Sequence, residues 1–175
     1  MLSDVSRGAS IPSMEELIRQ IRVASAAGLH YLALYGVLAL PDICGALSSD
    51  NGVATPSKYK DWIRANVPEQ ASEADSLYGL RCSLLHQGRA LPHGSTLPIA
   101  FSFGQAQLHN LSTEADGVTI GWISVPMLTV EITTGAERWF ATYGTTNTVL
   151  NNMEKFARYR PEGLLPILDG YPVIA

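Results

Sequence analysis

The sequence is short of cysteine, of charge and of long apolar runs, and each shortage excludes something. Cys44 and Cys82 are its two cysteines. Both sit in apolar, helix-like contexts and form no Cys-x-x-Cys pair, which reads as buried free thiols in a reducing compartment. Charged residues make up 16% of the chain and the net charge is −4. Lys and Arg number 8 against 9 Asp and Glu over residues 1–95, and 4 against 7 over residues 96–175. Neither half therefore offers a broad basic face for nucleic acid, although a local phosphate site stays open. The most apolar stretch, residues 31–40, is too short to span a bilayer and is flanked by His30, Pro41 and Asp42. The opening MLSDVSRGASIPSMEE lacks the apolar core of a signal peptide. A cytoplasmic protein without a membrane partner is the expectation. The sequence contains no internal repeat, no low-complexity tract, no Gly-x-Ser-x-Gly elbow and no glycine-rich phosphate loop.

What is present is an ordinary globular composition, 46% hydrophobic over 175 residues, long enough to bury a core without staples. With so little charge, some apolar surface is left over for an oligomer interface to cover. Residues 1–12 read as a loose leader. Ser13 with Glu16 forms a capping-box signal, and Met14, Leu17, Ile18 and Ile21 follow at helical spacing, predicting a helix over 13–27. After Gly28, residues 29–47 are apolar on nearly all sides, the pattern of a central buried helix, which Pro41 is expected to kink or split. Thr55-Pro56 marks the start of a helix over 56–66 with Tyr59, Trp62 and Ile63 on one face. Ser72 with Asp75 suggests a further capping box for a helix over 72–87, and Gly88 stands where a helix-ending glycine belongs.

Near residue 91 the character changes. LPHGSTLP is a linker, followed by β-prone runs at 99–103, 118–125 and 127–133, with Asp116-Gly117 as the hairpin turn between the first two. Residues 135–143 and 148–158 read as helices, and the last fifteen residues as a surface wrap. The expected fold is α+β: a helical bundle over 13–90 and a mixed β/α extension over 96–175, packed as one unit.

The helix at 72–87 ends in LYGLRCSLLHQG, which places Arg81 and His86 five residues apart. Arginine offers a fixed positive fork to a phosphate, and histidine exchanges a proton near neutral pH. Together they are a minimal set for cleaving RNA through its own 2′-hydroxyl, arginine stabilising the charged transition state and histidine acting as acid or base. Spacing alone is weak: nine Arg and four His give roughly 0.6 such pairs by chance. Other combinations are weaker still. Ser83 and His86 lack an orienting acid and an oxyanion hole. Cys82 and His86 share a helix face, but a buried thiol is the ordinary state of such a cysteine. His30, His86, His93 and His109 are too scattered for a zinc site, and no cofactor or metal is expected. Lys58, Lys60 and Arg64 around Trp62 read as the solvated face of an amphipathic helix, as Arg138-Trp139-Phe140 reads as a turn with buried aromatics.

The string LYGLRCSLLHQG, on the last helix of a bundle, resembles the R-x4–6-H signature of HEPN-like domains, and ALPDICGAL and KYKDWI resemble segments of uncharacterised bacterial proteins that carry it. The resemblance covers residues 13–90. It implies a dimer that brings two Arg/His pairs together, a metal-independent ribonuclease activity with RNA as partner, and Arg81 and His86 as the catalytic residues. Cys82 follows Arg81 where active members often carry Asn or Asp. That departure supports the alternative of a non-catalytic binding or regulatory protein.

Overall fold

The structure is a computed structural model that describes residues 11–104 and 108–175, with side chains from Ser13 onward. The leader expected over residues 1–12 therefore lies almost wholly outside the described residues. The fold is α+β. Six α-helices and small sheets of two or three strands are found among the described residues.

The first helix, α1, spans Ile11–Ala26. It starts before Ser13, so the expected capping box does not form, and Glu16 instead binds Arg19 and Gln20 one turn on. The carboxyl of Glu16 is held down at about 2 by those two partners. After Gly28, in the left-handed region at φ +73°, the central helix α2 spans His30–Leu47. Pro41 does not split it. Val37, Leu38, Leu40, Cys44 and Leu47 are buried around the proline, and that packing offsets one missing backbone hydrogen bond. By length and composition α2 could cross a membrane, and half of it is buried inside this fold.

Helix α3 spans Pro56–Asn66, with the Thr55 hydroxyl accepting from the Lys58 N–H at 3.3 Å. Tyr59, Trp62 and Ile63 are buried as their spacing predicts. A short 3₁₀ turn at Pro68–Gln70 leads to α4, Ala74–Gln87. Asp75 does not close a capping box, because Lys60 and Arg64 of α3 take its carboxylate at 2.6 and 2.5 Å. Leu77, Leu80 and Leu84 form the buried stripe. Gly88 ends the helix in the left-handed conformation, φ +66°, where a residue without a Cβ is favoured.

Strand β1 (Ile99–Ser102) pairs in parallel with β3 (Val118–Ser124), and β2 (Leu111–Ala115) pairs antiparallel on the other edge of β3. The hairpin turn Asp116-Gly117 has φ +52° and +76°, suited to a tight two-residue connection. It joins β2 to β3 rather than β1 to β3. Strand β2 went unpredicted because LSTEA has no buried side.

The largest correction concerns residues 127–133, expected as a strand. They belong to α5, Val125–Tyr143, which follows β3 without a loop. Ser124 caps it, accepting from the Met127 N–H at 3.4 Å, and Pro126 sits in its first turn. Leu128, Ile132, Ala136, Trp139 and Phe140 are buried at helical spacing. The hydroxyls of Thr129 and Thr133 donate back to Val125 O and Thr129 O, so β-branched residues that suggest a strand are satisfied within the helix. Helix α5 packs along α1 and α2 and so joins the bundle core. Arg22 of α1 binds Glu137 and Thr133 of α5.

Helix α6 is Asn147–Met153, shorter than the expected 148–158. Its Asn152 amide donates to Leu47 O and Ser49 O, satisfying the end of α2. The C-terminal segment folds into two small ladders, β4 (Tyr159–Arg160) with β7 (Val173–Ile174), and β5 (Gly163–Leu164) with β6 (Leu168–Asp169).

Candidate functional site

Arg81 and His86 do meet. On an ideal helix their Cβ directions differ by roughly 140°, yet the long arginine side chain bridges the gap, and Arg81 Nη1 lies 3.2 Å from His86 Nε2. For that contact to be a hydrogen bond the imidazole must be neutral and accept at Nε2, leaving the proton on Nδ1. His86 is exposed, whereas the Arg81 side chain keeps 24% of its surface. One member of the pair is thus fixed and the other faces solvent.

What fixes Arg81 is Asp42, on α2. Its Oδ2 lies 2.6 Å from Arg81 Nε, an ion pair whose N–H is not aligned on the oxygen, since neither atom completes a hydrogen bond. Burial raises the Asp42 carboxyl above its ordinary value, and the nearby charge of Arg81 partly offsets the rise. Burial of the guanidinium works against its charge. Asp42 and Cys82 outweigh that, so the Arg81 pKa is raised. Arg81 therefore stays a cation with Nε against Asp42 and Nη2 making no hydrogen bond among the described residues. The Cys82 sulfur lies 3.9 Å from Arg81 Nη1.

Two tyrosines, Tyr59 and Tyr78, lie near this site. Tyr59 is fully buried, and its hydroxyl finds no partner among the described residues. Burial and the neighbouring Asp42 both push its phenol well up. Its ring meets Tyr78 edge-on at 5.4 Å. Gly79 lies against the segment that follows α4: a Cβ there would stand 2.9 Å from His93 O, and His93 N–H donates to Gly79 O at 3.0 Å. The connector after α4 therefore lies directly on that helix.

The other sequence candidates are resolved by their partners. Ser83 is buried, and no hydrogen bond joins it to His86 among the described residues. Cys44 is a core residue whose thiol burial pushes far up. The basic residues near Trp62 are already engaged: Lys60 and Arg64 on Asp75, and Lys58 Nζ on Val53 O at 2.9 Å. Trp62 packs edge-on against Trp139 in the core. Among the described residues no group of three potential metal ligands converges.

A second polar cluster escaped the sequence reading. Gln70, His109 and Glu131 come from three distant parts of the chain and are nearly sealed, the His109 and Glu131 side chains being 5% and 13% exposed. His109 Nδ1 accepts the Ser124 N–H at 3.1 Å. Its Nε2 then carries the proton and faces both Glu131 oxygens at 3.1 and 3.2 Å. Gln70 Nε2 donates to Glu131 Oε2 at 2.7 Å and to Asn110 Oδ1 at 3.2 Å. Both ring nitrogens are consumed, so this histidine anchors β3 and α5 and has no lone pair to spare for chemistry.

The chain matches no known protein family, no curated protein and no solved structure.

Proposed function

We propose that this protein is a HEPN-like, metal-independent endoribonuclease that acts as a homodimer through Arg81 and His86. The observation that carries the proposal is the 3.2 Å approach of Arg81 Nη1 to His86 Nε2 at an open helix end, with Asp42 holding the arginine from behind. A phosphate arriving at this edge would be gripped by Nη1 and Nη2, which releases the imidazole lone pair. His86 could then take the proton from a ribose 2′-hydroxyl as its oxygen attacks phosphorus. The 5′-oxygen leaves with a proton from a second imidazole, that of the partner subunit in the dimer the resemblance implies. The products are a 2′,3′-cyclic phosphate and a 5′-hydroxyl, and Arg81 stabilises the charge that builds on the non-bridging oxygens.

The test is cleavage of a single-stranded RNA in chelator by the wild type, Arg81→Ala and His86→Ala, with solution mass measured in parallel. Cleavage lost in both variants, by a protein of twice the chain mass, is the expected result. Identical background in all three defeats the proposal.

A second reading is a non-catalytic RNA-binding or regulatory member of the same kind. It is favoured by the Asp42–Arg81 ion pair, which neutralises much of the charge a phosphate would seek, and by Cys82 beside Arg81. RNA retained without cleavage, and released by Arg81→Ala, would select it.

A further inference from the structure

No residue from Pro161 to Ala175 is buried. The strands β4 to β7 pair only with one another. Among the described residues, no hydrogen bond runs from residues 159–175 to anything before Arg158. This segment is therefore an arm, rooted at Arg158, whose backbone pairs with Ala175. Its exposed side chains include Leu165, Ile167, Leu168, Tyr171 and Ile174. The tip between β5 and β6 reads Leu165-Pro166-Ile167, and Ile167 is 81% exposed. Exposed tips ordinarily carry small or polar residues. Two-stranded ladders also hold poorly in water without an apolar face to pack on. An arm of this composition requires a cover.

A cavity of about 490 Å³ opens at the start of α2. Leu34 and Leu84 are buried in its wall, whereas Leu29, Tyr31, Leu32 and Phe103 line it and stay exposed. No carboxylate, lysine or arginine lines it, so an apolar tip can enter without stripping water from an ion pair or a lone charge. Its volume falls in the range of pockets that hold drug-sized groups, which is ample for the side chains of the tip.

Arm and cavity stand at opposite ends of α2. Asn152 of α6 donates to Leu47 O and Ser49 O at the C-terminal end, and the arm leaves the body shortly after α6. The 18 residues of α2 span about 27 Å. Within one chain the tip is exposed and the cavity open, so the two are not joined there. A two-fold axis across the middle of α2 exchanges its ends. It brings each arm toward the other chain's cavity and makes the same contact twice. The exposed apolar side chains of the arm and of the cavity mouth together offer on the order of 1,000 Å² per chain, against about 800 Å² per partner in a standard stable interface. We propose that this protein dimerises by exchanging C-terminal arms, the tip Leu165-Pro166-Ile167 of each copy seated in the cavity at the start of α2 of the other.

The test is sedimentation velocity of the full chain over a dilution series, for the wild type, Ile167→Asp and Leu32→Asp. Both positions are exposed, Leu32 at 62%, so the variants fold, as a thermal melt verifies. The wild type should show twice the chain mass, and each variant should raise the dissociation constant of the dimer about ten-fold or more. The contact itself is read with two single variants, Ile167→Cys and Leu32→Cys, each also carrying Cys82→Ser, mixed under mild oxidation. A disulfide-linked pair should form in the mixture and in neither variant alone. The double variant, Ile167→Cys with Leu32→Cys in one chain, should give linked dimers. A wild type that keeps the mass of one chain, a dimer that both aspartate variants leave intact, a mixture that forms no disulfide, or a double variant that closes on its own cavity each overturns the proposal. The ribonuclease reading expects a dimer without saying which faces meet, so an arm-exchanged dimer that cuts no RNA defeats that reading alone, and a dimer that cuts RNA but meets through another face defeats only the arm exchange.

Discussion

Two histidines of this protein sit beside a carboxylate-linked network, and their surroundings are opposite. His109 spends both ring nitrogens, one on a backbone N–H and one on Glu131, inside a nearly sealed cluster. His86 is exposed, makes one contact to an arginine, and keeps its Nδ1 free of protein partners among the described residues. The difference lies in unspent hydrogen-bonding capacity rather than in residue type. A histidine whose bonds are complete holds elements together, whereas one with capacity left at an open surface can exchange a proton with something else.

That contrast can be broken or sharpened by substitution. The largest expected effect is on activity: His86→Ala should lower RNA cleavage about 10²–10⁴-fold with an unfolding midpoint close to that of the wild type, measured by a cleavage time course and a thermal melt on the same preparation. His109→Ala should do the reverse. It strands a buried Glu131 and a Ser124 N–H, so denaturant unfolding should report a loss of about 2–4 kcal/mol, while cleavage per folded molecule is unchanged. A result in which the two variants exchange roles would remove the distinction between the two histidines.

Asp42→Asn comes next. It should reduce cleavage by about ten-fold by letting the guanidinium wander, mainly through kcat. It also has a pH signature. The Asp42 carboxyl is raised by burial, so the folded state holds this proton more tightly than the unfolded chain. The stability this group contributes is therefore fully present below the ordinary aspartate value and is lost as pH rises through the raised one. Relative to Asp42→Asn, the wild type should thus gain stability as pH falls through the acid range, as read from paired denaturation curves. The smallest effect belongs to Asp75→Asn. Lys60, with Arg64 beside it, lowers the Asp75 carboxyl, so whatever stability it adds is present above the ordinary value and lost as pH falls through the lowered one. Because the site is exposed, the variant should show no resolvable shift of the melt at neutral pH.

The four N-terminal helices were legible because apolar residues recur along them at helical spacing, and two ends add local chemistry that acts within a few residues: Thr55-Pro56 at the start of α3 and Gly88 at the stop of α4. Helix α5 was not, because Val130, Ile132 and Thr133 carry a strand-like local preference that packing against α1 and α2 overrides. The same division holds at the site. Arg81 and His86 were visible as a pair on one helix, but Asp42 acts from 39 residues away, with only its polarity in an apolar helix as a signal. Gln70, His109 and Glu131 share no local pattern at all, and only the fold brings them together.

Gly79 carries a further consequence. It bears no functional group, yet any side chain there would press on the backbone of His93. Displacing that connector would tilt the turn of α4 from which Arg81 projects. In a saturation library scored for survival of function, position 79 should therefore be depleted as sharply as positions 81 and 86. Depletion alone would be a misleading guide to chemistry in this protein, and only a purified variant, folded yet unable to order its arginine, would separate the scaffold from the reagent.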